Sequence, residues 1–282
     1  MKEVDTQFSW QQIKRFEFIE WQLLWERRLN AKPLMAYFGI SRHQATKDVQ
    51  SYVELAPQNI QVYDPKLKYY TPSVGFRPIF AKESPDDFVE SRTGLSNDSA
   101  SFIERIHPLG RRVIPGVLPI IMECVDSSCA VDIIYASARS PSGKARRIWP
   151  KALAYAADRL HIRAFCAENH EYRDFNVSRI LDIPHKVNAP LPSSIDVAWE
   201  LVLELALKPN ENLTPDGQNL IAAEFDLKGG RELIRIRAAL LQYFLQDNLL
   251  PHTPEQLIEA HRNPWKYPVM VENLETFEKW YF

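Results

Sequence analysis

The 282 residues include only three cysteines, Cys124, Cys129 and Cys166. They are too few and too irregularly spaced for a disulfide framework, and no histidine pair completes a zinc site around them, so they are read as buried thiols. Long apolar runs are also missing. None approaches the roughly 18 residues of a membrane span, and Met1-Lys-Glu-Val-Asp-Thr6 lacks the apolar stretch of a signal peptide. A soluble chain of the cytoplasm, with no membrane partner, is expected, and the sequons at Asn97, Asn176 and Asn212 are then chance matches. Glycine is scarce, at nine residues. There is no Gly-rich phosphate loop, no Gly-x-Ser-x-Gly elbow and no His-Glu-x-x-His spacing, and Gly229-Gly230 reads as a turn, so neither an enzyme nor a resident cofactor or metal is expected. Nor does charge of one sign dominate: the formal balance is −2. A nucleic-acid partner would therefore have to be met by local basic patches.

Such patches exist. Arg27, Arg28, Lys32, Arg42, Lys47, Lys66 and Lys68 cluster in the first quarter, and Arg139, Lys144, Arg146, Arg147 and Lys151 in the middle. The first group surrounds the segment from Leu34 to Val53, which reads as a helix, a turn over Gly39 to Ser41, and a second helix. Ser41 can cap that second helix, with Gln44 reaching back in a capping box. Ala45, Val49, Tyr52 and Val53 share the inward face, which leaves Arg42, His43, Gln44, Thr46, Lys47, Gln50 and Ser51 for a partner. These side chains hydrogen-bond to base edges and phosphates, so double-stranded DNA is the expected partner. Taken alone, the stretch fits an ordinary helical hairpin equally well. The residues after it favour a DNA-reading module: Ile60-Gln-Val-Tyr63 and Leu67-Lys-Tyr-Tyr70 alternate around Asp64-Pro65-Lys66, predicting a two-stranded wing that carries Lys66 and Lys68. Ahead of the hairpin, Ser9 and Gln12 open a helix reaching about Arg28. It has Ile13, Phe16 and Leu23 on one side and Phe18, Trp21 and Trp25 on another, and the second face is expected to pack on another domain or subunit.

Breakers over Thr71 to Pro78 and Lys82 to Asp87 end the first domain, and short helices are expected around Phe88 to Arg92 and Ala100 to Ile106. From Ala130 the period becomes two. Strands are predicted over Val131 to Ser137, Ala145 to Trp149, Ala152 to Ala156, Leu160 to Phe165 (turning at Ala157-Asp158) and Tyr172 to Ile180, which suggests a small bent sheet or barrel. His161 and Arg163 fall on one face of their strand, Arg173, Phe175 and Arg179 on one face of theirs, and the two sets are expected to share an open surface. Trp199 to Leu207 alternates as a strand. Thr214-Pro215 starts a helix to about Phe225, Leu233 to Arg237 is a strand, Ala238 to Asn248 a helix, and Thr253 caps one more. The aromatic tail from Trp265 to Phe282 is expected to dock on its own chain or on a partner subunit.

The order of parts resembles the WYL-domain transcriptional regulators, in particular the branch that represses phage-defence operons of the BREX and CBASS kind. The likeness is carried by Trp25-Glu-Arg-Arg-Leu-Asn30, Phe38-Gly-Ile-Ser41, Gln44-Ala45, Asp48, Tyr52, Leu55-Ala-Pro-Gln-Asn59, Tyr63-Asp64 and Lys68-Tyr-Tyr70. Further on, Tyr135-Ala-Ser137, Arg147-Ile-Trp-Pro150, Arg159-Leu-His-Ile-Arg-Ala-Phe165, Tyr172-Arg-Asp-Phe175 and Ser178-Arg-Ile180 extend it over nearly the whole chain. Leu160-His161-Ile162 stands where the family name has Trp-Tyr-Leu.

The resemblance implies a multidomain α+β protein: a winged helix-turn-helix over 1–72, a linker over 73–115, a small Sm-like bent sheet or barrel (the WYL domain) over 116–187, and an α/β dimerisation domain over 188–282. It implies a homodimeric repressor that binds an inverted repeat and is released by a nucleotide or nucleic-acid effector. The sensing residues would be Ser137, His161, Arg163 and Arg173, with Arg147 and Arg179. That set suits an anion, because an Arg fork binds phosphate through two hydrogen bonds. The alternative function is an RNA-binding or nucleotide-sensing adaptor that uses the basic sheet.

Overall fold

A computed structural model describes residues 8–61, 63–66, 68–82, 85, 88–89 and 109–281. The chain divides into two compact units, Met1–His107 and Pro108–Phe282. Among the described residues no helix is long and apolar enough to cross a membrane.

In the first unit, helix α1 (Trp10–Trp21) starts at Ser9, whose side chain accepts from the Gln12 N–H, and runs into a π-helical turn over Gln22–Glu26 that ends at left-handed Arg27. The rest of the hairpin is α2 (Ala31–Phe38), capped by Asn30 and closed by left-handed Gly39, and α3 (Arg42–Leu55), capped by Ser41. Phe16, Ile19, Leu23, Leu34, Ala45 and Tyr52 are fully buried between the helices. The second apolar face of α1 is partly covered within the same unit. Phe18 is buried and stacks on Tyr37 at 4.6 Å, with Phe38 edge-on, so it needs no outside partner. Among the described residues, the wing is joined by the bridges Ile60 to Pro72 and Asp64 to Tyr69, and Leu29 bridges to Tyr70. Of the short helices expected beyond it, Phe88 and Val89 are helical, and residues 90–107 lie outside the described ones.

The second unit opens with α4 (Val117–Ser127), a helix not expected from the sequence, where Pro115 and Gly116 look like interruptions. They serve as its start: Gly116 takes φ 93° immediately before the first turn. Val117, Ile121 and Cys124 then recur at helical spacing and bury against the sheet. That sheet is β1 (Ala130–Ser137), β2 (Ser140–Ala156), β3 (Arg159–Cys166), β4 (Glu171–Asn176) and β5 (His185–Val187), antiparallel in the order β4-β3-β2-β1-β5. It stays open, not closed into a barrel. The two strands expected over 145–156 are one 17-residue strand, bent by an irregularity between Pro150 and Ala152. Ala157 and Asp158 both take positive φ, 50° and 51°, as a two-residue hairpin of matching twist requires. The strand expected over Tyr172 to Ile180 stops at Asn176, and Val177–Arg179 is a 3₁₀ turn.

Downstream, the Asp196 side chain accepts from the Trp199 N–H and holds a helical turn over Val197–Glu200, so the strand expected from Trp199 starts only at Val202. β6 (Val202–Pro209) sits between β7 (Glu232–Arg237) and β8 (Val269–Val271), all antiparallel. Around them lie α5 (Pro215–Glu224) under a Thr214 cap, α6 (Leu241–Asp247), and α7 (Pro254–Arg262) with a complete Thr253–Gln256 capping box. Leu203, Leu205, Ile221, Leu241 and Leu245 form the core. The tail docks on its own chain: Tyr281 is buried there, with Phe277 and Trp280 packed beside it, while Trp265 stays 57% exposed.

Candidate functional site

The inward side of α3 is as expected. Ala45, Val49 and Tyr52 are buried, and Asp48 joins them, its carboxylate held by the Arg15 guanidinium at 2.7 and 3.3 Å. On the outer side Arg42, His43, Thr46, Lys47 and Gln50 are exposed, and Ser51 is half-buried. Gln44 departs from the expected ridge. Its backbone N–H donates to Ser41 Oγ, but its side-chain amide turns to Asp48 at 3.0 and 3.1 Å, so no reciprocal capping box forms and the side chain is half-buried. At the wing, Asp64 Oδ1 accepts from the Lys66 N–H at 2.8 Å and the Lys68 N–H bonds back to Asp64 O, which leaves both lysine side chains exposed. A groove of about 620 Å³ separates wing from helix, lined by Lys32, Arg42, Thr46, Gln50, Tyr63 and Lys68. Three cations and three hydrogen-bonding side chains along one channel can grip a phosphate backbone while the ridge meets base edges.

Sequence reasoning missed Glu20. It lies on the same stripe as Phe16, Ile19 and Leu23 and is fully buried. A charged residue at i+4 on an apolar stripe was the available signal. Its carboxylate accepts from Tyr52 Oη at 2.8 Å and from the N–H groups of Ile79, Phe80 and Ala81 at 2.7–2.8 Å. Asn59 extends the network, donating to Tyr52 Oη and to Arg77 O. Burial pushes the Glu20 carboxyl above its ordinary value, against the opposing pull of those donors. The segment after the wing is thus fastened to α1 and α3 by one buried acid.

In the middle sheet, the expected sensing residues do not form one open surface. Arg163 pairs with Asp174 across β3 and β4 and Ala164 with Arg173, so Arg163 and Arg173 face opposite sides. The His161–Arg163 face is covered. Arg163 is 8% exposed and forks onto Asp196 at 2.7 and 2.8 Å, with Asp174 at 3.2 Å. His161 is 6% exposed, its ring 4.7 Å from that of Tyr243 on α6 and its Nε2 3.3 Å from Ala156 O. Tyr243 in turn donates to Asp174. Arg147 forks onto Asp132 across β1 and β2, and Arg173 pairs with Glu171. Ser137 Oγ accepts the Ser140 N–H in the β1–β2 turn, and Arg179 is exposed. Ile148 pairs with Cys166, which puts Arg147 about six residues, or roughly 20 Å, along the sheet from His161.

Three family models match successive segments: the BrxR transcriptional regulator winged helix-turn-helix domain over residues 11–91, the WYL domain over 116–184, and the BrxR transcriptional regulator C-terminal dimerization domain over 202–277. Among full-length relatives, the DNA-binding transcriptional repressor CapW of Escherichia coli (strain KTE188) is 30% identical over 262 residues, 89% of this chain and 87% of that protein. The chain belongs to the CapW repressor family. CapW of Pseudomonas aeruginosa is 29% identical over 84% of this chain and 82% of its own length. A solved chain of proteasome accessory factor B/C (PafBC) of Arthrobacter aurescens aligns over 96% of this chain and about half, 48%, of its own, at 14% identity and a TM-score of 0.28; a likeness of that size bears on nothing further. In this CapW-family chain the winged-helix match spans α1 to the wing and the Glu20-bound segment, the WYL match spans α4 through β4, and the dimerization match spans β6 through β8.

Proposed function

We propose that the chain is a homodimeric, sequence-specific repressor of a bacterial phage-defence operon. It binds an inverted repeat in double-stranded DNA through α3 and the wing, and it is released by an anionic ligand, a nucleotide or nucleic acid, held by the WYL domain. The domains divide at 1–72, 73–115, 116–187 and 188–282. The observation that carries this reading is the outward row Arg42, His43, Thr46, Lys47 and Gln50, of which Arg42, Thr46 and Gln50 line an open groove with Lys32 and Lys68. Membership of the CapW family supports repression and DNA as the target.

The match to a dimerization domain supports pairing. Over its span Leu220, Phe225, Leu233, Ile258 and Trp265 are each at least half exposed, apolar area that a second copy would take out of water. A two-fold pair then sets two α3 helices about one DNA turn apart, which calls for an inverted repeat.

The test is a gel shift on a duplex carrying the inverted repeat of the chain's own promoter region, with sedimentation of the free protein. Arg42→Ala with Lys47→Ala should abolish the shift at moderate salt, because a lost Arg–base contact alone costs about 1–3 kcal/mol. Lys66→Ala and Lys68→Ala should weaken all sequences alike and flatten the salt dependence by about one counterion each. A wild-type shift by the double variant, or a monomer in solution, would overturn the reading.

A further inference from the structure

Arg146, Arg147, Arg163 and Arg173 are each bound to a carboxylate: Glu168, Asp132, Asp196 with Asp174, and Glu171. Arg111 and Arg159 have no ion-pair partner among the described residues, and both line one hollow of about 220 Å³ beside the β2–β3 turn. Arg159 Nε is buried there without a hydrogen-bond acceptor. Arg146 Nε is buried without one as well, but the Arg146 guanidinium is otherwise held by Glu168. A buried donor of a cation left unbonded is rare in a folded protein and calls for an acceptor. Asn176 and Ser178 stand on the same wall, the Ser178 hydroxyl donating to Asn176 Oδ1 at 2.7 Å, and the one acid in the lining, Asp158, is exposed on the turn.

We infer that this hollow seats the terminal phosphate of the effector, in place of the expected His161–Arg163 face, where carboxylates already occupy the guanidinium. Two guanidinium groups reaching one cavity offer donors from more than one side. A phosphate monoester, with three oxygens, meets that arrangement better than a carboxylate, whose two oxygens match a single fork. The volume holds a phosphate and its attached sugar, below the roughly 300–1,000 Å³ of a site that encloses a whole ligand, so the remainder of the molecule lies outside. Leu109 to Arg111, at the start of the second unit, form one wall, and the turn after β4 forms another. An occupant therefore ties the start of this unit to the β2–β3 hairpin.

The inference rests on the proposed function only in calling the ligand an effector. Calorimetry on the full chain would compare a 5′-phosphorylated trinucleotide, the same trinucleotide with a 5′-hydroxyl, a nucleoside monophosphate and inorganic phosphate. The phosphorylated trinucleotide should bind at least tenfold more tightly than its hydroxyl counterpart. Arg159→Gln and Arg111→Gln should each remove at least tenfold of that affinity, Arg159→Lys should remove less, and Arg147→Gln should leave it unchanged, all with unaltered thermal midpoints. Binding of the monophosphate at comparable strength points to a nucleotide, and its absence to a nucleic-acid end; both support the site. Equal binding with and without the phosphate, no binding of any phosphate probe, or an equal loss in Arg147→Gln overturns it. The gel shift separates the two readings: operator binding without phosphate binding overturns the hollow alone, whereas absence of operator binding by the wild-type chain overturns the repressor.

Discussion

Tyr52, on the inward side of α3, donates its hydroxyl hydrogen to the buried Glu20 carboxylate across 2.8 Å. The same carboxylate takes three backbone N–H groups of Ile79 to Ala81, so α3, α1 and the chain leaving the wing converge on one acid. Glu20→Ala strands those donors and should cost about 2–4 kcal/mol, whereas Tyr52→Phe removes the bond to Glu20 and the acceptor of one Asn59 N–H and should cost about 1–2 kcal/mol. Urea unfolding of the full chain ranks the two. A Glu20→Ala protein as stable as wild type would show that the cluster contributes nothing.

Arg163 behaves as part of the core of its unit. Removing one partner of a buried, forked pair leaves the other charge unpaired, so Arg163→Met should destabilise by about 3–5 kcal/mol. Adding Asp196→Asn, which keeps an acceptor for the Trp199 N–H while discharging the carboxylate, should recover about 1–3 kcal/mol of that loss. Thermal unfolding of the single and double variants measures the coupling. No recovery would mean that Arg163 is held by something other than Asp196.

Stability should fall on mild acidification through His161. Burial holds this imidazole below its ordinary value of 6.5; Arg159 acts in the same direction, while Ala156 O, Asp174 and Asp247 oppose. The unfolded chain therefore takes up the proton first as pH drops. The contribution is complete above the ordinary value and declines below it, so unfolding free energy should fall between about pH 7 and 5, and His161→Gln should reduce that slope. An unchanged slope in the variant would assign the effect to other groups.

Cys124 and Cys129 should differ in reactivity although their sulfurs are 2.7 Å apart. Burial, then the contact with Cys129, pushes the Cys124 thiol up to about 12, and its side chain is sealed between α4 and the sheet. Cys129 is only half-buried, a departure from the expectation that all three thiols are internal. Iodoacetamide at about pH 8 should label Cys129 first and reach Cys124 and Cys166 only on denaturation, as mass spectrometry of the peptides would show. Early labelling of Cys124 would contradict its burial.

Much of this was legible in residue order because it is local. Ser9, Asn30, Ser41, Thr214 and Thr253 cap helices using neighbours three residues or fewer away, and Ala45, Val49 and Tyr52 repeat at the spacing of one helix face. Less legible were features set by a partner distant in the chain. Gln44 turned from the ridge to Asp48, which is also held by Arg15, 33 residues away. Helix α4 was hidden by a Pro-Gly pair that begins it.

The sequence alone determined the succession of modules and which face of α3 is polar, because caps and periodicity act over a single turn of chain. Tertiary structure decided which charges remain available. Whether an arginine meets a carboxylate, as Arg163 meets Asp196, or keeps a donor unbonded, as Arg159 does, depends on contacts between strands and turns far apart in the chain, where burial removes the water that would otherwise make every exposed guanidinium equivalent.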